Sequence, residues 1–368
     1  MKSRVIIIDV IEPRSSKIEA TQSMGELENL VNTYGGMVII KKVQKKQVPD
    51  YKTFIGSGKL EEIKSEAELE KVDLIIFNNN LKPQQLFNLE RIFEKKNIKV
   101  WDRVDLILKI FEKHAETLEA RLQIELAALR HMGPRIFKMG LELSRQGGGI
   151  GTRGIGETNT EIMKRHLASQ EKRIRDKLQK IQTQHETQRN SRKRKNLKTV
   201  AIVGYTNAGK SQILKTLTQK LVKVKDELFA TLDTRIGQLY LPTTQSICLL
   251  SDTIGFIQNL PPDLIDSFRS TLDEAIHADI ILHAIDYADP MKEKKIKTVL
   301  EILKDLKIEK TTSIFVCNKI DLIKNIKTKS FIKKYKKYDP VFISALNKDN
   351  ILSLVHKIES KFENSIEK

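Results

Sequence analysis

Two cysteines and a single tryptophan stand in 368 residues, and aromatic side chains make up only 6% of the chain. Cys248 and Cys317 lie far apart, each inside an apolar run. A disulfide framework is therefore excluded, and both read as small core residues in a reducing compartment. No run of about 18 apolar residues occurs, which excludes a membrane-spanning helix, and the apolar stretch of MKSRVIIIDV is too short for a signal peptide. The expected location is the cytoplasm. Seven histidines form no metal-ligand spacing, so His114, His131 and His166 read as helix-surface or packing residues. Acid is also in short supply.

The 47 acidic residues face 65 basic ones, a formal net charge of +18, which predicts a polyanionic partner. Residues 159–198 hold thirteen Lys and Arg against four Asp and Glu, so half of the excess sits in that segment. A second cluster, Lys324 to Tyr338, has seven lysines and no acid. It reads equally well as a solvated face or as a contact surface.

The pattern divides the chain into three. In residues 1–103, β-like runs (Val5 to Val10, Met37 to Val43, Leu74 to Phe77, Lys99 to Trp101) alternate with helix-like segments near Met24 to Tyr34, Lys59 to Leu69 and Lys82 to Lys95. This predicts a small α/β domain with a largely parallel sheet. Residues 104–195 read as a helical hairpin arm. Leu118, Leu122, Leu126 and Leu129 recur at helical spacing on one side of QGGGIGTRGIGET, as do Ile174, Leu178 and Ile181 on the other. The glycine-rich tip is residues 147–156. In residues 196–368 the strands TVAIVG, CLLSDTIG, DIILHAID, SIFVCNKID and VFISAL alternate with helices, the last about Asn350 to Phe362. The fold class is α/β, with a C-terminal doubly wound sheet whose ligand lies beyond the strand carboxyl ends.

Chemistry-bearing residues gather at those ends. Gly204-Tyr205-Thr206-Asn207-Ala208-Gly209-Lys210-Ser211 matches GxxxxGK[ST] between an apolar strand and a helix. Backbone amides of such a loop enclose phosphates, Lys210 neutralises the β and γ groups, and Ser211 ligates Mg²⁺. Asp252-Thr253-Ile254-Gly255 supplies an acid to hold magnesium through water and a glycine amide for the γ-phosphate. In Asn318-Lys319-Ile320-Asp321 the aspartate can accept two hydrogen bonds from guanine N1 and N2, which adenine would leave unpaired, while Lys319 lies along the base. Such a mismatch is worth on the order of 10⁴-fold or more. Ser344-Ala345-Leu346 fits a backbone contact to guanine O6, and Phe229-Ala230-Thr231-Leu232-Asp233-Thr234-Arg235 holds a threonine that reaches the metal and the γ-phosphate when triphosphate is bound. Gly56-Ser57-Gly58-Lys59 looks like half a phosphate loop but lacks the spacing, and reads as a turn into a helix.

GYTNAGKS, FATLD, DTIGF and NKID, preceded by ELAALRHMGPRI and GGGIGTRGIGET, closely resemble the HflX family of ribosome-associated GTPases. FIGSGKLEEI and LIIFNNNLKPQQLFNLER extend the likeness to nearly the whole chain. The resemblance implies an N-terminal HflX domain with a helical arm, a translation-factor-class GTPase domain and GTP hydrolysis with Mg²⁺. It also implies binding to the large ribosomal subunit and its rRNA, with a part in splitting or rescuing stalled ribosomes under stress. It selects Thr231 for the metal, beside Lys210 and Gly255 as catalytic groups. The protein is expected to be monomeric when free and to bind no DNA. Arg145, Gly147, Gly148, Gly149 and Arg153 at the tip are the expected ribosome contacts, since residues without Cβ approach RNA closely. The competing class is a metabolic phosphotransferase using GTP or ATP, against which stands Asp321.

Two departures from the family pattern bear on mechanism. Gln212 follows Ser211 where a small hydroxyl residue is usual, and after FATLD the chain runs directly to Thr234-Arg235 without the usual proline and further threonines. Phe256 follows the DxxG where many GTPases place a water-orienting glutamine, and a phenyl ring can neither donate to nor accept from that water. Unassisted hydrolysis is therefore expected to be slow, with an external surface completing the site; otherwise Phe256 only packs. If Asp321 reads the base, Asp321→Asn weakens GTP binding sharply and shifts preference toward xanthosine triphosphate. Fluorescence titration checks this, and equal GTP affinity in variant and parent removes the assignment.

Overall fold

The structure, a computed structural model, describes residues 2–146, 159–218, 235–253, 255–257, 264, 272–308, 311–324 and 328–363, without the side chains of 134, 136–146 and 159–160. Among the expected site residues, Phe229, Ala230, Thr231, Leu232, Asp233, Ile254, Gly147, Gly148, Gly149, Arg153 and the Arg145 side chain lie outside that description. The chain forms two compact units, Met1–Lys113 with Arg121–Leu178 and His114–Ala120 with Gln179–Lys368.

In the first unit, β1 (Arg4–Ile11), β2 (Met37–Lys45), β3 (Leu74–Phe77) and β4 (Lys99–Trp101) form a parallel sheet in the order β2-β1-β3-β4. β1 is buried from Val5 to Val10 because helices cover both faces. Ile6, Ile8 and Val10 share a core with α2 (Ser57–Leu69) and α3 (Pro83–Glu94), while α1 (Lys17–Tyr34) packs on β1 and β2. α1 begins seven residues before the start expected from periodicity. Ser16 Oγ accepts from the Glu19 amide, and the Glu19 carboxylate accepts from the Ser16 amide, both at 3.1 Å. Gly56 precedes α2 and its amide donates to Gln44 Oε1 at 3.1 Å, so GSGK is a helix start here.

α4 (Arg103–His114) follows β4, and the arm helices are α5 (Leu118–Gln146) and α6 (Asn159–Arg194). They run antiparallel: Arg130 Nε donates to Glu171 Oε1 at 3.0 Å, and the Gly133 position lies against Leu167. Ile174 is buried, whereas Lys164, Arg165, Lys172, Arg173 and Lys177 of α6 are exposed. Leu122 and Leu126 are buried and Leu129, Leu178 and Ile181 half-buried, so the stripes serve packing there, whereas Leu118, at the first turn of α5, is 66% exposed and does not. Among the described residues no helix is long and apolar enough to cross a membrane.

The second unit contains β5 (Thr199–Gly204), α7 (Lys210–Thr218), β6 (Arg235–Leu241), β7 (Ser246–Asp252), α8 (Asp273–Ile276), β8 (Ile280–Asp286), α9 (Lys292–Asp305), β9 (Thr312–Asn318), α10 (Thr328–Lys334), β10 (Val341–Phe342) and α11 (Ile351–Glu363). The sheet order is β10-β9-β8-β5-β7-β6. α7 and α11 cover one face, and α9 and α10 cover the other. Only β6 is antiparallel. This edge strand is missing from the strands read in the sequence, although Gly237, Leu239 and Leu241 alternate inward. The strand order turns at β5, so a ligand crevice opens beyond its carboxyl end. Cys248 and Cys317 are buried and free, and burial pushes the Cys248 thiol up to about 12.

One buried charge cluster holds α5 to the end of β4. Asp102 and Asp105 cap α4 reciprocally, the Asp105 amide donating to Asp102 Oδ1 at 2.9 Å and the Asp102 amide to Asp105 Oδ2 at 3.2 Å. Arg135 of α5 donates to Asp105 Oδ2 at 2.7 Å, and His131 Nε2 lies 3.2 Å from Asp102 Oδ1 and 3.4 Å from Asp105 Oδ1. Asp102, Asp105 and His131 approach one another within 4.8 Å, as metal ligands can, but the Arg135 guanidinium already supplies a cation there. Two carboxylates need two cations, so the imidazolium is the state favoured, even though His131 Nε2 is also 2.9 Å from Arg135. Burial opposes this, yet the hydrogen bonds and charges of Asp102 and Asp105 outweigh it and raise His131 to about 9. The unfolded value is about 6.5. The stabilisation is thus complete below about pH 6.5 and lost as pH rises through about 9. Thermal unfolding should show that alkaline loss in the parent and not in His131→Gln. Arg135→Ala should cost roughly 3 kcal/mol by stranding buried carboxylates.

Candidate functional site

The loop from Tyr205 to Gly209 bridges β5 and α7, and its shape is set by close backbone approach. A Cβ on Gly204 would meet the Ala284 carbonyl oxygen at 2.4 Å, and one on Gly209, which has φ +88°, would meet Asn318 Nδ2 at 2.3 Å. Lys210 opens α7 fully buried, and its Nζ donates to the Tyr205 carbonyl at 3.0 Å, across the mouth of the loop. Burial pushes its pKa down to about 8, against the opposing charge of Asp252.

Ser211 Oγ donates to Asp252 Oδ2 at 2.6 Å. Asp252 is fully buried at the end of β7, and burial raises its pKa despite Lys210 and Ser211. Among the described residues its Oδ1 has no hydrogen-bond partner, and neither has the buried Thr206 hydroxyl. An under-coordinated buried carboxylate beside a serine hydroxyl is a donor set suited to a hard divalent cation such as Mg²⁺. Thr253 turns away, its hydroxyl donating to the Ile202 carbonyl at 2.8 Å. A Cβ on Gly255 would meet Lys210 Nζ at 2.8 Å and Thr206 at 2.9 Å, so only glycine leaves that space to a ligand. Phe256 is buried, and its backbone is pinned to the loop: Thr206 N donates to Phe256 O at 2.7 Å, and Phe256 N to Gly204 O at 3.0 Å.

The Asn318 side chain reaches across the site. Its Nδ2 donates to the Ala208 carbonyl at 3.0 Å, and its Oδ1 accepts from the Ala345 amide at 3.0 Å. The Ala345 amide is thus engaged in this state, and a contact from it to guanine O6 requires an exchange of partners. Lys319 takes the left-handed conformation, φ +65°, before the short turn Ile320–Leu322 that carries an exposed Asp321. Ser344 is buried and Leu346 exposed. The structure therefore brings the phosphate loop, Asp252, Gly255, Asn318, Lys319 and Ala345 to one end of the sheet.

Two residues enter that the motifs did not announce. Asp286, at the end of β8, accepts from Lys319 Nζ at 2.8 Å and from the Ala288 amide at 3.1 Å, fixing the lysine stem. A carboxylate closing a strand in DIILHAID was the available signal. Gln212, the departure beside Ser211, donates to the Ala345 carbonyl at 3.3 Å, which Thr216 Oγ1 also reaches at 2.8 Å. Gln212 thereby ties α7 to the Ser344–Leu346 segment.

Comparison with known proteins matches this geometry to a family. A family model described as GTP-binding GTPase N-terminal matches residues 21–112, one described as GTP-binding GTPase Middle Region matches 114–192, and one described as 50S ribosome-binding GTPase matches 199–319. The chain is 42% identical over 358 residues to a GTPase HflX of Caldanaerobacter subterraneus subsp. tengcongensis, covering 97% of this chain and 80% of that one. It is 34% identical over 345 residues to the GTPase HflX of Escherichia coli, covering 94% and 80%. A solved GTP-binding protein from Sulfolobus solfataricus in complex with GDP is 25% identical, covers 98% of each chain and superposes with a TM-score of 0.50. The chain therefore belongs to the HflX family of GTPases, enzymes that hydrolyse GTP.

Proposed function

We propose that this GTPase binds the large ribosomal subunit through its rRNA in the cytoplasm, and that its nucleotide state sets that affinity so as to split or rescue stalled or idle ribosomes. The observation that carries the reading is the charge asymmetry of α6: Ile174 is buried against the arm, and the outward residues include nine lysines and arginines against three acids. Such a helix neutralises phosphates. The match of residues 199–319 to a family described as 50S ribosome-binding supports it.

In this reading the amides of Gly204 to Gly209 hold the phosphates and Lys210 leaves Tyr205 for the β and γ groups. Ser211 and Thr231 would ligate Mg²⁺, with Asp252 holding its water. The ion, when bound, would neutralise negative charge on the phosphates. The Gly255 amide meets the γ-phosphate, Asp321 reads guanine N1 and N2, and Lys319, fixed by Asp286, covers the base. The loop amides and Lys210 stabilise charge developing on the phosphoryl group as water attacks and GDP leaves. Phe256, buried and pinned to the loop, offers no hydrogen bond to that water. The partner completes the site.

Lys210→Ala should abolish productive triphosphate binding, while Ser211→Ala should chiefly raise the magnesium requirement; normal turnover in both variants puts the site elsewhere. Basal turnover should lie well below about 1 s⁻¹ and rise strongly with large subunits. Rapid hydrolysis that ribosomes leave unchanged contradicts the partner-completed site. Replacing Gly147 to Gly156 with a serine-rich loop of equal length should impair subunit binding or splitting and preserve GTP binding. Sedimentation with ribosomes in a non-hydrolysable GTP analogue decides, and identical behaviour reduces the tip to a connector.

A further inference from the structure

The second lysine cluster of the sequence folds onto the GTPase unit. Phe331 of α10 is buried in an aromatic core with Tyr287, Phe315, Tyr335 and Phe342. Its ring packs edge-on to Tyr287 at 5.2 Å, and Phe315 stacks on Tyr338 at 4.2 Å and 5°. These rings mount α10 and the following turn Lys336–Tyr338 firmly on β8 and β9. The lysines are left outside: Lys329, Lys333, Lys336 and Lys337 are all exposed.

Acids elsewhere in this unit are used to neutralise such charges. Asp339, immediately after the turn, takes Lys357 at 2.7 Å and Lys361 at 3.2 Å. Glu293 of α9 is shared by Lys334 and the Tyr335 hydroxyl, and is thereby spent. Among the described residues no carboxylate pairs with Lys329, Lys333, Lys336 or Lys337, and Lys337 has only the Tyr338 ring, 5.6 Å away. Helical spacing puts exposed Lys304, and Lys297 with its partner Glu301 at 3.8 Å, on the face of α9 that presents Glu293 to α10. Four like charges in nine residues, without counter-charges on a rigid mount, repel one another, and a polyanion relieves that repulsion.

We propose that this lysine face is a second RNA-docking surface, on the GTPase unit and made of residues other than the arm's, that grips phosphodiester backbone without reading sequence. It rests on the ribosomal reading given above. No arginine occurs from Lys292 to Tyr338, so the planar fork that recognises carboxylates and base edges is missing. Lysine ammonium groups on flexible stems act as hydrated point charges and suit phosphates spaced along a backbone. None of the four lysines belongs to the nucleotide site, so the surface can be altered without touching GTP chemistry.

The test is the full-length variant carrying K329Q, K333Q, K336Q and K337Q, compared with the parent in sedimentation with large ribosomal subunits across a series of KCl concentrations, in a non-hydrolysable GTP analogue. The slope of log affinity against log salt should become shallower by about 0.9 for each duplex phosphate no longer neutralised, hence by about 2 to 4, with at least tenfold weaker binding at low salt. Basal GTP hydrolysis should be unchanged, and the corresponding four Lys→Arg changes should restore binding. Unchanged affinity and slope in the glutamine variant overturn the proposal. If the parent itself does not bind large subunits, the ribosomal reading falls, and the surface is judged on a short RNA duplex, polyglutamate and anionic lipid vesicles. Loss of RNA binding in the glutamine variant then upholds the surface. Binding only to polyglutamate or vesicles, or to none of the three, overturns it.

Discussion

The Asn318 side-chain amide is the constraint on which the nucleotide end of this protein depends. One group of atoms donates to the phosphate loop at Ala208 and accepts from the Ala345 amide. The GxxxxGK[ST] loop, the NKxD turn and the Ser344–Leu346 segment are thereby held at one spacing, although they are over a hundred residues apart at the extremes. A buried amide satisfied on both sides resists rearrangement, because losing either partner strands a polar group away from water. Gly209 shows how close the fit is: any side chain there would occupy the space of Asn318 Nδ2. Lys319 accepts an uncommon left-handed backbone directly after Asn318, and Asp286 then fixes its ammonium group.

Around that tie the charges are arranged for a ligand with more negative charge than the protein supplies. Lys210 is buried, leans on a neutral carbonyl and has its pKa pushed down to about 8 by burial against the charge of Asp252. His283, buried on β8, stays neutral because burial and Lys210 together push it down to about 3. Among the described residues one Asp252 oxygen has no partner. A cation short of anions and a carboxylate short of donors, side by side, are satisfied together by a triphosphate with its metal.

Charge serves a different purpose in the first unit and on the surface. The buried set of Asp102, Asp105, His131 and Arg135 balances two anions with two cations and holds a helix of the arm to the sheet end, so its partners are all internal. The exposed lysines and arginines of α6 and of α10 have few acids near them. The same composition thus yields fixed joints where the ions are enclosed and solvated, unpaired charge where they are not, because only in the interior does a lone charge cost enough to demand its own partner.

The sequence by itself determined the fold class, because continuous apolar runs and helical periodicity report burial on both faces of a sheet, and it determined that the chain is a GTPase, because the GxxxxGK[ST], DxxG and NKxD motifs stand in a fixed order along strand ends. β3 and β4 fell on the residues expected from pattern alone. Tertiary structure decided what depends on residues distant in the chain. The seven earlier residues of α1 came from a cap, and β6 became a strand by pairing antiparallel with β7. Asp286 gained its contact from Lys319, Gln212 from Ala345, and His131, which reads as a packing residue, holds its proton more tightly because two carboxylates near residue 103 face it. Local pattern encodes which face is buried, whereas a side chain's partner and protonation depend on what the folded chain brings within about 3 Å of it.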